Sequence, residues 1–223
     1  MDAATGEARY DGIADWYAQW TAGQADRWRD TLVTLLGAGP GPCLDLGCGT
    51  GEYVDVLRST GRRVVGLDVS ADQLRFAKER ADAVVLADGS RLPFAAGSFE
   101  AVAAIWVSTD VDDLGAVLSD SARVLRPGGV FVFLGVHPCF NGPGVENRPD
   151  GSRLVHPNYR STGWQAASPW WEPDGVRVRV GMRHVPLAGL LNAVVDVGLR
   201  PERFVEPGGD EVPFVLALRA TKA

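Results

Sequence analysis

The segment Leu44-Asp45-Leu46-Gly47-Cys48-Gly49-Thr50-Gly51 constrains this chain more than any other. Gly39-Pro40-Gly41-Pro42 precedes it, and Glu52 to Leu57 follows with apolar residues at helical spacing, so the stretch reads as strand, glycine turn, helix. The glycines permit a sharp turn and unusual backbone angles, and they let a ligand approach where a Cβ would collide. Asp45 ends the strand as a carboxylate. Thr50 is expected to cap the helix, with nearby backbone amides turned to the ligand.

The dinucleotide fingerprint is G-x-G-x-x-G, with the pyrophosphate on the helix N-terminus. Here Gly47, Gly49 and Gly51 run G-x-G-x-G, and Glu52 stands where the third fingerprint glycine belongs. A carboxylate in the first helical turn, with Asp45 just before the turn, repels a diphosphate and suits an amine or a sulfonium. This disfavours a nicotinamide-dependent oxidoreductase. A phosphate-binding G-x-x-x-x-G-K-[ST] loop is absent from the sequence.

Asp45-Leu46-Gly47-Cys48-Gly49-Thr50-Gly51 resembles the first motif of class I S-adenosylmethionine-dependent methyltransferases of the small-molecule type. Leu125-Arg126-Pro127-Gly128-Gly129 is also typical of that family, as is Arg91-Leu92-Pro93-Phe94. The resemblance covers about residues 9–135 and the final sheet edge. It implies an α/β fold: a Rossmann-like, doubly wound, seven-stranded sheet, mostly parallel with an antiparallel edge strand. An N-terminal helical lid and a cap inserted after strand five are expected with it.

The 223 residues suffice for one sizeable domain, read as a lid at 9–36, a cofactor-binding core at 43–135, a substrate cap at 136–183 and a final helix and sheet edge at 184–223. With 46% hydrophobic and 22% charged residues the chain reads as globular, and without an apolar run near 18 residues or a signal-peptide pattern it is expected in the cytoplasm, off the membrane. Cys43, Cys48 and Cys139 form no C-x-x-C, so no metal site is expected. A net charge of −6 without a Lys/Arg block argues against a nucleic-acid partner, leaving a small-molecule acceptor and a monomer or homodimer.

Residues 1–8 read as frayed. Ile13, Trp16, Tyr17 and Trp20 recur at helical spacing over Arg9–Trp20, and a second helix is expected from Gln24 to Leu36. Strands are expected at Cys43–Leu46, Arg63–Leu67, Ala83–Ala87, Ser98–Trp106 and Val130–Leu134, with helices at Glu52–Ser59, Ala71–Arg80 and Leu114–Leu125. Alternating strands and helices make a parallel sheet with helices on both faces. Arg177-Val178-Arg179-Val180 alternates like an edge or lid strand. His184-Val185-Pro186 opens a helix running to about Val197, and Arg203–Val205 with Val212–Leu218 closes the sheet.

Ligands of such sheets bind outside the carboxyl ends of the strands. Asp45 with its glycine turn, Asp68, Asp88 and the Trp106 region all fall at strand ends. Asp68 is about twenty residues past the turn, where an acid accepts from ribose hydroxyls; Ser70 already serves as the next helix cap. The resemblance implies cofactor contacts from Asp45, Gly47, Cys48, Gly49, Gly51, Asp68, Val69, Asp88, Gly89, Ser90 and Trp106, with Tyr10 and Tyr17 closing from the lid. Asp88 is expected to accept from the adenine amine, or else to make an Asx turn before Pro93. Relatives often carry a His pair where Thr109 and Asp110 stand; Asp110 either meets the cofactor's cationic end or the substrate, or caps a helix. Trp20, Tyr159, Trp164, Trp170 and Asp110 are candidates for the acceptor pocket, with flat apolar walls for an aromatic or partly apolar molecule.

The resemblance implies S-adenosylmethionine as cofactor and S-adenosylhomocysteine as product, with methyl transfer to oxygen, nitrogen or carbon. A base, where the acceptor needs one, is sought among the histidines: His137, directly after strand five, and His156 in the cap. A carbon or carboxylate acceptor needs no strong base. The competing reading is a protein of the same fold that uses the cofactor without methylating, as a cyclase or regulatory partner.

Overall fold

Side chains alternate across a strand, and here the alternation sorts two apolar layers. In a computed structural model describing residues 8–223, Leu44, Leu46, Val102, Ala104, Phe131 and Phe133 point into one layer, and Cys43, Ala101, Ala103, Ile105, Val130, Val132 and Leu134 into the other. The frayed start expected at residues 1–8 lies outside the described residues apart from Ala8.

The order is α1 (Ala14–Thr21), α2 (Gln24–Leu36), β1 (Cys43–Leu46), α3 (Val54–Arg58), β2 (Val64–Asp68), α4 (Ala71–Ala77), β3 (Ala83–Leu86) and β4 (Phe99–Ile105). A 3₁₀ turn at Val107–Thr109 leads to α5 (Leu114–Val124) and β5 (Leu125–Val136). Short strands β6 (Val145–Asn147), β7 (Arg153–Val155) and β8 (Gly163–Gln165) follow, then α6 (Arg177–Val180), β9 (Met182–His184), α7 (Leu187–Asp196), β10 (Leu199–Val205) and β11 (Val215–Lys222).

Seven strands form one sheet in the order β10-β11-β5-β4-β1-β2-β3. β1 to β5 are parallel, and β11 runs antiparallel between β5 and β10. The antiparallel strand therefore lies one place in from the edge. The chain winds outward from β1 to β3, then returns to β4 on the other side of β1, which puts the switch point between β1 and β4. All four residues of β1 are buried, as both-face coverage of a parallel sheet requires. α5 and α7 cover one face through Leu118, Ala122, Leu190 and Val194; α2 and α3 cover the other through Trp28, Leu32, Leu35, Val54 and Leu57.

Several local expectations change. Residues 177–180 form one helical turn rather than a strand, because Val176 and Val180, four apart, are both buried while Val178 is 43% exposed; strict alternation would have put all three on one side. Gly181 ends the turn at φ 70°. β5 begins at Leu125 rather than Val130: Leu125 pairs with Phe99 and Val130 with Ala101, so Arg126–Gly129 bulges out of the ladder, with Gly128 at φ 72°. His184 sits in β9, and α7 starts at Leu187 behind Pro186. α1 starts at Ala14, because Asp11 is drawn off to Ser70 and the amide of Asp72. Thr50 caps no helix; residues 49–53 are turn and α3 starts at Val54. The cap region at 136–183 holds two antiparallel ribbons, β6-β7 and β8-β9.

Candidate functional site

Gly47, Gly49 and Gly51 take φ values of 69°, 53° and 77°, the left-handed region glycine enters without steric cost. A Cβ on Gly47 would stand 2.9 Å from Val107 Cγ2. Four of the turn's backbone donors are bonded within the chain. The amides of Gly47 and Cys48 donate to Leu67 O at 2.8 and 3.0 Å, Gly51 to Cys48 O at 2.8 Å, and Gly49 to Asp68 Oδ2 at 2.8 Å. Four of the turn's amides are thus engaged within the protein, and Thr50 and Glu52 line the cavity beside them.

Two carboxylates flank it. Asp68 also accepts from the Ser70 amide at 2.9 Å through Oδ1. Asp45 is 2% exposed and its Oδ2 has no hydrogen-bond partner within the chain. Burial, and then the Asp68 charge, push the Asp45 carboxyl up to about 7. Burial also raises Asp68, opposed by its backbone donors. Such a corner gains from a ligand that brings a cation and hydroxyl donors.

Both carboxylates open onto a cavity of about 690 Å³ at the carboxyl ends of β1 and β4, a size usual for a small-molecule site. Tyr10, Tyr17, Asp45, Gly47, Cys48, Gly49, Asp68, Val69, Asp88, Gly89, Ser90 and Trp106 all line it, as do Trp20, Asp110 and Trp170 from the acceptor candidates. Asp88 Oδ1 accepts the Ser90 amide at 2.8 Å, so the Asx turn forms and the residue still faces the cavity. Tyr10 and Tyr17 meet edge to face at 4.9 Å. Among the described residues Trp106 alone is a non-glycine with positive φ, at 63°. This strained conformation at the end of β4 turns the indole so that Nε1 donates to Tyr53 Oη at 2.7 Å and the ring meets Trp28 at 6.1 Å.

Five expected site residues lie elsewhere. Gly51 packs toward α4, where a Cβ would reach Ala77 Cα at 3.1 Å. His137 is 3% exposed, pairs through Nε2 with Glu206 at 2.9 Å and accepts the Cys139 amide on Nδ1 at 3.2 Å. Both ring nitrogens are engaged with the chain, and His137 is not among the residues lining the cavity. His156 stands behind Trp170, stacked on it at 4.1 Å. Tyr159 Oη accepts the Leu187 amide at 2.8 Å. Trp164 lies under the Arg9 guanidinium, 3.8 Å from the ring centroid. None of these four lines the cavity.

Sequence reasoning missed Gln73, Arg177, Trp28, Tyr53 and Trp171, which also line the cavity. Trp28 and Tyr53 sit at helical apolar positions and read as core. Arg177 Nη1 bonds Asp110 Oδ1 at 2.7 Å and Nη2 bonds Thr109 Oγ1 at 2.9 Å, while Tyr10 Oη donates to Asp110 Oδ1 at 3.1 Å. The N-terminal segment, the loop after β4 and the cap are thus tied at one carboxylate. Glu52 takes the Gly23 amide at 2.8 Å and an ion pair with Arg80 at 3.0 Å. Among the described residues no cluster of His, Cys, Asp and Glu could hold a metal, and no helix is long and apolar enough to cross a membrane.

The strand order, the glycine turn after β1 and the acid ending β2 resemble those of class I S-adenosylmethionine-dependent methyltransferases. The residues present fit that cofactor: the unpartnered Asp45 oxygen suits an ammonium, and Asp68 suits a ribose diol. Residues 44–133 match the family model described as a methyltransferase domain. The ubiquinone/menaquinone biosynthesis C-methyltransferase UbiE of Desulfotalea psychrophila is 37% identical over 143 residues, 59% of this chain and 58% of that one. The malonyl-[acyl-carrier protein] O-methyltransferase of Yersinia pestis is 41% identical over 96 residues, 40% of this chain and 34% of that one. This chain therefore spans little more than half, or less, of those relatives' length. A solved S-adenosylmethionine-dependent methyltransferase structure from Listeria monocytogenes superposes with a TM-score of 0.72 at 19% identity, over 90% of this chain and 98% of that one, a likeness of fold.

Proposed function

We propose that this chain transfers a methyl group from S-adenosylmethionine to a small, aromatic or partly apolar acceptor, and that the acceptor atom is an electron-rich carbon. The observation that carries the reading is the glycine turn standing between two carboxyl groups, Asp45 buried with one oxygen unpartnered and Asp68 at the end of β2. That corner favours an ammonium and a ribose over a pyrophosphate. When bound, the cofactor supplies an activated methyl on a sulfonium. The chain's part is to bind, to align the acceptor and to exclude water, and alignment is worth roughly 7–11 kcal/mol at best. Trp20, Trp28, Trp106, Trp170 and Trp171 give the flat walls on the acceptor side. Among the described residues no histidine lines the cavity, and burial raises the Tyr10 and Tyr17 hydroxyls above their usual range, so they stay neutral. With no histidine in the lining, the choice of carbon leans on the C-methyl transfer named for one of the relatives. Cytoplasmic residence fits this chemistry.

Calorimetric titration with S-adenosylhomocysteine, with NAD as control, is the test. Micromolar binding of the first and none of the second is expected, followed by labelled methyl transfer to a panel of quinols, phenols and amines. Binding of NAD alone overturns the reading. Cofactor binding with no transfer to any acceptor moves it to the non-methylating alternative.

Asp45 gives this binding a pH signature. With a folded pKa near 7, the folded chain holds a proton that the unfolded chain has released above about pH 4. Its contribution to stability is complete below about pH 4 and is lost as pH rises through 7. A cationic ligand binds the carboxylate form. Affinity for S-adenosylhomocysteine is expected to rise by up to about tenfold per unit from pH 5.5 to 7 and then level off. Titrations in buffers of different ionisation enthalpy should show proton release below pH 7, and Asp45→Asn should abolish both effects. A flat profile in the wild type removes Asp45 from contact with the ligand's cation.

A further inference from the structure

Gln73 is a polar side chain where the chain gives it nothing to bond. It is 1% exposed, and neither its Oε1 nor its Nε2 has a hydrogen-bond partner within the chain. An amide buried in this way is costly to keep. α4 nevertheless holds it in place: the Gln73 backbone amide donates to Ser70 Oγ at 3.1 Å, and Ser70 Oγ in turn bonds Asp11. Gln73 is among the residues that line the cavity beside the glycine turn. From the position a Gly49 Cβ would occupy, Gln73 Oε1 is 3.4 Å away and the Tyr17 ring 3.9 Å. Gly49 is also the residue whose amide Asp68 accepts. Asp68 and Gln73 therefore reach the same glycine, one as a carboxylate and one as a carboxamide.

A hydroxyl both donates and accepts. Asp68 can only accept, and one lone pair on each of its oxygens is already taken by a backbone amide. A vicinal diol resting on Asp68 alone would leave its own oxygens without donors. We propose that Gln73 supplies that donor through Nε2, so that Asp68 and Gln73 together clamp the ribose diol of the nucleoside. This rests on the cofactor reading above. Gln73 is then a binding residue that sets the requirement for an intact ribose.

The test pairs Gln73→Met, of nearly equal length and without hydrogen-bonding groups, with S-adenosylhomocysteine and its 2′-deoxy and 3′-deoxy analogues. Calorimetry on the full chain is expected to show Kd for S-adenosylhomocysteine rising about 5- to 20-fold in the variant. For one of the two deoxy analogues, wild type and variant should differ by less than about twofold, because the partner hydroxyl is already gone. The ligand-free variant should melt no lower than wild type, since it buries a thioether where an amide had no partner. A wild-type chain that binds no S-adenosylhomocysteine overturns the cofactor reading and this inference together. A wild-type chain that binds it, with Gln73→Met binding equally well or losing the same factor for all three ligands, overturns this inference alone.

Discussion

Asp110→Ala is expected to destabilise the protein by about 3–5 kcal/mol, the usual cost of stripping one partner from a buried ion pair. Asp110 and Arg177 are only 19% and 17% exposed at their side chains, and the pair closes at 2.7 Å. Burial works against the Arg177 charge, and the Asp110 carboxylate more than offsets it, so the guanidinium is held above its usual pKa. Remove the carboxylate and that cation stays charged against Tyr10 and Thr109 with no counter-charge on it. Tyr10 loses its acceptor in the same step. For a domain of this size the loss corresponds to a fall in Tm of about 6–20 °C. The double variant Asp110→Ala/Arg177→Met should recover most of it, because no unpaired charge remains. A melting point within a degree of wild type in the single variant would show that the pair holds nothing together.

Asp68→Ala should weaken S-adenosylhomocysteine binding by about 1.5–3 kcal/mol, the scale of hydrogen bonds to a charged group, or about 10- to 150-fold in Kd. The structure adds a reason beyond ligand contact. Asp68 accepts from Gly49 and from Ser70, so it holds the glycine turn and the start of α4 in register. Its loss both removes an acceptor and frees the turn. Asp68→Asn keeps one amide acceptor and should recover part of the turn but little of the affinity. Unchanged affinity in Asp68→Ala would take the residue out of the site.

The binding edge was legible because its signals are local. A glycine run after a short apolar strand, and an acid about twenty residues on, are spacings along the chain, and the alternation from β1 to β5 leaves few topologies open. Helix α2 falls where its apolar period ends, at Gln24–Leu36. Local signals failed where two readings share one pattern. Arg177–Val180 satisfies both an alternating strand and a helical turn, and burial of Val176 with Val180 decided it. His137 sits beside the active edge in sequence, yet Glu206 and the Cys139 amide turn it inward.

By itself, then, the sequence determined the parallel α/β class, the glycine turn, the two carboxylates at strand ends and the cationic character of the ligand they suit. Those follow from residue type and short-range spacing. Only the tertiary structure decided which side chains share the cavity. Arg177 reaches Asp110 from 67 residues away, Tyr10 reaches the same carboxylate from 100, and α4 brings Gln73 to the cavity lining. A charge or an amide has no signature of its partner along the chain; the partner is set by how separate elements pack, and packing is a property of the folded molecule as a whole.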